Sequence, residues 1–257
     1  MGYTLITGAS GGIGCELAKE FARNGHNLIL VARNEQKLGE LRAELETNFG
    51  VDVLVAARDL AVPDAAAALY AETQKQGLAV DTLINNAGFG DAAPFLESDW
   101  ARQSEMVQLN IVALMQLTYL YGREMKAAGE GKILNLSSVA AFLAGPNMSV
   151  YYASKSFVLS FSQAVAEELR GSGVTVTVLC PGPTKTGFEQ AAQMKNSTMF
   201  TFMKAATPRA VAQKAYRAMM AGRKVVYHSP QTYLVNLGTR IAPRSLAAKM
   251  ARKINGT

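Results

Sequence analysis

Two cysteines, two histidines and one tryptophan are all that 257 residues hold of those types. Cys15 and Cys180 cannot build a disulfide framework and suit a reducing compartment, where both read as inert core thiols. His26 and His228 stand apart from any carboxylate or cysteine cluster, so neither a metal site nor a histidine-based triad is expected. No apolar run reaches the roughly eighteen residues of a membrane-spanning helix, and Tyr3-Thr-Leu-Ile-Thr7 opens the chain with no room for a signal segment. A cytoplasmic protein is expected. Acid is missing from the end of the chain: none follows Glu189, while residues 190–257 hold twelve Lys and Arg. The net charge of +6 therefore hides a net of −6 over residues 1–189, with fourteen basic against twenty acidic groups. The basic end lacks any nucleic-acid motif, so nucleic acid is not an expected partner.

What the chain does hold is enough apolar material for a full core. At 49% hydrophobic and 18% charged, it reads as one α/β domain over residues 1–257, with no repeat or low-complexity linker. Strands are expected at Thr4–Thr7, Asn27–Val31, Val51–Ala56, Thr82–Asn85, Lys132–Leu136, Val174–Leu179 and Lys224–Tyr227. Helices are expected near Ile13–Asn24, Glu35–Asn48, Pro63–Gln76, Asp99–Ala128, Val150–Gly171 and Pro208–Ala221. Continuous Val, Ile and Leu runs alternating with helices mean a parallel sheet covered on both faces. The fold class is α/β: a doubly wound Rossmann-type sheet of about seven strands, with ligands beyond the carboxyl ends of the strands.

Tyr151 and Lys155 are four residues apart, which on a helix sets an ammonium beside a phenol. A free phenol titrates near 10, and a neighbouring cation favours its ionised form, so the pair can make a proton donor and acceptor. Tyr152 has Ser156 rather than a lysine at i+4 and is expected to pack. After the first strand, Thr7-Gly8-Ala9-Ser10-Gly11-Gly12-Ile13-Gly14 gives a tight turn whose backbone can approach a pyrophosphate at a helix start. The spacing is Gly-x-x-x-Gly-x-Gly, which departs from the general Gly-x-Gly-x-x-Gly fingerprint. At the end of the second strand Ala32 stands where an acid would select NAD, and Arg33 follows it with a fork suited to a 2′-phosphate. NADP is the expected cofactor, with assistance from Arg58 left open.

Through Thr7–Gly14, Asn85-Asn86-Ala87-Gly88, Asn110, Ser138, Tyr151, Lys155 and Pro181–Thr186, the chain resembles the short-chain dehydrogenase/reductase family, single-domain branch. The resemblance implies that Tyr151 is the acid/base and that Ser138 holds the substrate oxygen, although Ser137 adjoins it. Lys155 would bond the nicotinamide ribose and lower the tyrosine pKa, and Asn110 would hold a water in the proton relay. For the cofactor it implies Gly8, Ser10, Gly11, Gly12, Ile13 and Gly14 at the pyrophosphate, and Asn86, Ala87 and Gly88 near the adenosine ribose. Asp59, with Leu60 beside it, matches the acid that contacts adenine. Pro181, Gly182, Thr184 and Thr186 match the segment over the carboxamide, where Pro183 cannot donate.

The substrate pocket is expected from residues 89–95, from 140–150 including Phe142, Leu143 and Met148, and from a lid over 188–203. Phe188, Met194, Met199, Phe200, Phe202 and Met203 make that lid apolar. An apolar ketone or aldehyde, or the corresponding alcohol, fits best. The alternatives are a 3-oxoacyl-thioester reductase, acting on a carrier protein or CoA, and a non-catalytic NADP-binding regulator. In the basic C-terminal extension, residues 231–257, Arg240, Arg244, Lys249, Arg252 and Lys253 alternate with Ile241, Leu246, Met250 and Ile254. Packing in a homo-oligomer, dimer or tetramer, is preferred for this stripe over peripheral contact with an anionic membrane.

Overall fold

The computed structural model describes residues 2–192 and 205–256. Seven parallel strands form one sheet: β1 (Tyr3–Thr7), β2 (Asn27–Ala32), β3 (Val53–Ala57), β4 (Val80–Asn85), β5 (Gly131–Leu136), β6 (Val174–Cys180) and β7 (Val225–Tyr227). Their spatial order is β3-β2-β1-β4-β5-β6-β7, so the winding reverses between β1 and β4. In a doubly wound sheet that reversal opens a crevice at the carboxyl ends of the strands. The strands are apolar on both sides because both sides are covered. Ile6, Leu28, Leu30 and Leu134 pack on one face with Leu17, Phe21, Leu38 and Val211. Leu5, Ile29, Leu83 and Ile133 face the other way, against Leu69, Leu117 and Tyr121.

The first face is covered by α1 (Gly12–Arg23), α2 (Glu35–Phe49) and α8 (Pro208–Met220); the second by α3 (Ala65–Lys75) and α5 (Leu114–Ala128). The long α6 (Ser149–Glu168) carries Tyr151 and Lys155, and α7 (Phe188–Ala191) follows β6. Local chemistry sets several boundaries. Asn34 caps α2 by accepting from Lys37 N at 2.9 Å, and a left-handed Gly50 ends it. The third helix begins at Ala65 rather than Pro63 because Asp64 sits at φ 62, outside helical space.

Two expectations need correction. The single helix expected over Asp99–Ala128 is three pieces: α4 (Trp100–Val107), a π-helical segment (Gln108–Ala113) and α5. The C-terminal extension holds two helices, α9 (Pro230–Ile241) and α10 (Arg244–Asn255). Ser229 caps α9 through Thr232 N at 3.2 Å and Pro230 occupies its first turn, a start signal legible in the sequence. Met194, Met199, Phe200, Phe202 and Met203 of the expected lid lie outside the described residues. Among the described residues, no helix is long and apolar enough to cross a membrane.

Candidate active site

At the sheet's reversal point lies a cavity of about 550 Å³ that runs from the glycine turn to Tyr151. Its floor is backbone. Gly8 and Gly12 take φ 68 and 56, which glycine adopts without strain. A Cβ on Gly14 would stand 2.2 Å from the Gly8 carbonyl oxygen, so the helix can sit this close to the turn only without one. Gly11 precedes α1 with no side-chain cap, and no acid occupies the first turn. Backbone N–H groups at such a helix start suit a phosphate. Gly8, Ser10, Gly11, Gly12 and Ile13 all line the cavity, whereas Gly14 acts from beneath by permitting the approach.

The ends of β1 and β4 are tied together beside this turn. Thr7 Oγ1 accepts from the Asn86 and Ala87 N–H groups, each at 3.0 Å, and Asn86 Nδ2 donates to the Thr7 carbonyl at 2.9 Å. Asn86, Ala87 and Gly88 line the cavity, but the Asn86 side chain serves the sheet. Thr7, which the sequence offered only as part of a turn, is the hub of that tie. Across the cavity Pro181, Gly182, Thr184 and Thr186 form the facing wall. The Thr186 hydroxyl oxygen accepts from Phe188 N at 3.2 Å, leaving its proton to donate.

The other end is built from side chains. Tyr151 is buried, 9% exposed, and lines the cavity together with Ser138. Ser138 Oγ accepts from Ala140 N at 3.1 Å, which fixes the residue at the start of a short 3-10 turn (Val139–Phe142). Ser137 is excluded as the competitor, since its hydroxyl is committed to the Lys155 carbonyl at 2.8 Å. Lys155 Nζ donates to the Leu136 carbonyl at 2.9 Å and lies 5.9 Å from the centre of the Tyr151 ring.

Burial dominates the electrostatics. It pushes the Tyr151 phenol up to about 12; the Ser138 hydroxyl pulls it down and Tyr152 adds to the rise. Burial likewise brings the Lys155 ammonium down to about 8. Each charge is disfavoured by desolvation, and the ammonium is engaged with the Leu136 carbonyl. Asn110 has its side chain engaged in the protein. Its fully buried amide accepts from Phe89 N at 3.1 Å and donates to Phe89 O at 2.9 Å and to Ser154 Oγ at 3.1 Å. That side chain holds the loop after β4 against α6, and holds it from within the π-helical segment, a conformation common at functional sites.

Several residues stand off the cavity. Arg33 is 78% exposed, 3.7 Å from Asp59, whose other oxygen accepts from Ala61 N at 2.9 Å. Leu60 is buried in the core beneath α3. Arg58 is turned to Glu72 at 2.7 Å. Phe142, expected at the substrate, instead packs against Tyr227 with ring centres 5.9 Å apart, because its 3-10 turn directs it to β7. Met148 and Phe188 do line the cavity next to Tyr151. Lys37, which sequence reasoning did not single out, lines the cavity from the first turn of α2. Within the expected 89–95 segment, Gly90 leaves room for the Phe188 ring, 2.8 Å from where a Cβ would be. Tyr152 is buried as expected, yet it also donates to Asn255 Oδ1 on α10 at 2.8 Å.

Comparison with known proteins agrees with this geometry. A family model described as short chain dehydrogenase matches residues 3–197. A very-long-chain 3-oxoacyl-CoA reductase from Mycosarcoma maydis is 34% identical over 180 residues, covering 69% of this chain and 51% of that protein. A 7beta-hydroxysteroid dehydrogenase from Collinsella aerofaciens is 31% identical over 184 residues, covering 72% and 69%. The chain thus spans about half the length of the first of these relatives and about two thirds of the second. A solved short-chain dehydrogenase from Sphingobium yanoikuyae, in complex with NADPH, matches with a TM-score of 0.83 and 31% identity over 94% of each chain. With a parallel sheet reversing at β1 and β4, and a family match running from the first strand past α7, this chain belongs to the short-chain dehydrogenase family of oxidoreductases.

Proposed function

We propose that the protein is an NADP(H)-dependent reductase of apolar ketones or aldehydes, dehydrogenating the corresponding alcohols when NADP+ is supplied. The observation that carries this reading is that Ser138, Tyr151 and Lys155 converge at one end of a cavity whose other end is a bare glycine turn. When bound, the nicotinamide supplies the hydride that reaches the carbonyl carbon. Tyr151 gives its proton to the carbonyl oxygen as charge develops there, and the Ser138 hydroxyl steadies the same oxygen. A phenol near 12 stays protonated at neutral pH, which suits a donor. Oxidation needs the phenolate and is favoured by alkaline pH. Lys155, near 8, is a second group able to exchange protons close to neutrality and is assigned to the nicotinamide ribose. Phe89, Met148 and Phe188 give the substrate an apolar wall.

Cofactor preference rests on Arg33 and on Lys37 in the wall, with no acid at Ala32. NADPH is expected to bind ~10 to 100-fold more tightly than NADH, for charge-assisted contacts of about 1.5–3 kcal/mol. Titrating cofactor fluorescence decides it, and equal affinities, or no loss in an Arg33→Ala, Lys37→Ala variant, would sink the preference.

The second reading is a 3-oxoacyl-thioester reductase, favoured by the activity named for the Mycosarcoma maydis relative. NADPH oxidation across a panel of apolar carbonyls and acyl thioesters separates the two, and silence on the whole panel favours a non-catalytic NADP-binding protein. The assembly we propose is a homo-oligomer, dimer or tetramer, to be read from its mass in solution.

A further inference from the structure

The last two helices carry five of the twelve Lys and Arg that follow Glu189, with no acid among them, and leave apolar side chains outside. On α9, Leu234, Leu237 and Ile241 follow at i, i+3 and i+7 and share a face. They are 61%, 43% and 80% exposed, with Tyr233 half exposed beside them. The tenth helix has already used its inner face. Ala251 is wholly buried in the cluster of Met148, Tyr151 and Tyr152, Ala247 is buried, and Asn255 bonds Tyr152 Oη and the Pro146 carbonyl. Leu246 and Met250, four residues apart, remain on the outside, and each is followed three residues later by an exposed lysine, Lys249 and Lys253. Arg240 and Arg252 are exposed as well.

The sequence alone prefers a second copy of the chain as the cover for this face. Charge argues otherwise. A two-fold contact of this face with itself would set Arg and Lys against Arg and Lys, since neither helix holds an Asp or Glu. The cover must be anionic, and it must also take aliphatic side chains that offer no hydrogen bond. Headgroups over acyl chains meet both demands: long basic side chains reach the headgroups while leucines enter the layer beneath. We propose that the outer face of α9 and α10 docks on an anionic lipid bilayer. Because α10 packs on the loop before Tyr151, docking brings the substrate end of the cavity toward the lipid. Docking itself is independent of which substrate is reduced, since its test reads binding and not turnover.

The test sediments the full chain with vesicles of phosphatidylcholine, alone or with phosphatidylglycerol. The protein is expected in the pellet with anionic vesicles at low salt, in the supernatant at high salt, and in the supernatant with neutral vesicles throughout. Lys249→Gln with Arg252→Gln should weaken binding roughly 30-fold, about fivefold per charge near the surface, and Leu237→Gln with Ile241→Gln roughly tenfold or more. NADPH affinity, checked in each variant together with circular dichroism, should not change. A wild-type chain that ignores anionic vesicles at low salt overturns the proposal without need of any variant. So does a Leu237→Gln, Ile241→Gln protein that falls in mass while its vesicle binding persists, which gives the face to a second copy. Retention on immobilised polyglutamate with no vesicle binding would give it to an acidic protein and overturn the proposal equally.

Discussion

At the α1 end of the cavity the wall is backbone, and four glycines within eight residues of sequence make it. At the Tyr151 end the wall is side chain, drawn from the loop after β4, the turn after β5, α6, the loop after β6 and, behind them, α10. The first end works by what has been left out: no Cβ stands between the helix start and whatever lies on it. The second works by what has been buried, and burial moves both of its ionisable groups away from their ordinary values. A backbone surface holds any ligand with the right phosphates; a side-chain surface decides what happens to the ligand beside it.

Breaking the first end should be the most damaging change. Gly14→Val puts a Cβ against the Gly8 carbonyl, backbone that cannot move aside, and should lower stability by about 4 kcal/mol or more and abolish NADPH binding. Thermal melting and cofactor fluorescence check it; normal binding would mean that the close approach is not what holds the cofactor. Tyr151→Phe should separate the two ends. Turnover should fall roughly 10² to 10⁴-fold while NADPH affinity is unchanged. Tyr152→Phe removes only the bond to Asn255 and should cost about 1 kcal/mol of stability, with chemistry retained.

Lys155 sharpens the comparison through pH. Folding depresses its pKa from 10.5 to about 8, so the unfolded chain holds the proton more tightly. Stability from this group therefore rises as pH climbs from 8 to 10.5, and below 8 the buried ammonium disfavours the fold by roughly 3 kcal/mol. Lys155→Met should raise the melting temperature of the cofactor-free protein at pH 7, with a gain that shrinks above pH 8, and should abolish turnover. A variant that melts lower at pH 7 would contradict the burial argument. The smallest effect is expected at Gly90→Ala. Its Cβ would meet the ends of Phe188 and Met148, side chains that can shift, so KM for bulky ketones should rise about tenfold with NADPH affinity unaltered.

The two ends were not equally legible in the sequence. The glycine turn is local, and a strand before it and a helix after it were enough to place it. Lys37 escaped because Arg33 looked sufficient, and only the first turn of α2 brings it into the wall. The segment Asp99–Ala128 reads as one helix since its buried positions, Gln103, Met106, Asn110, Ala113, Leu117, Tyr121 and Met125, never break a three-or-four spacing. A π-helical turn leaves no mark on such a pattern. Phe142 was misplaced because an apolar residue near a catalytic serine says nothing of direction, which the 3-10 turn sets. The depth of Tyr151 and Lys155 escapes the sequence for a related reason: helical spacing gives neighbours, but not how deep they lie.

The bond between Tyr152 and Asn255 bears on recombination. The family match stops at residue 197, yet a residue 58 positions later completes the packing behind Tyr151. A chimera that joins residues 2–192 of this chain to the remainder of a relative would inherit its phosphate-binding floor intact and receive a foreign partner for Tyr152. Whether that partner can accept a hydrogen bond would decide if the graft carries its donor's selectivity or only its donor's sequence.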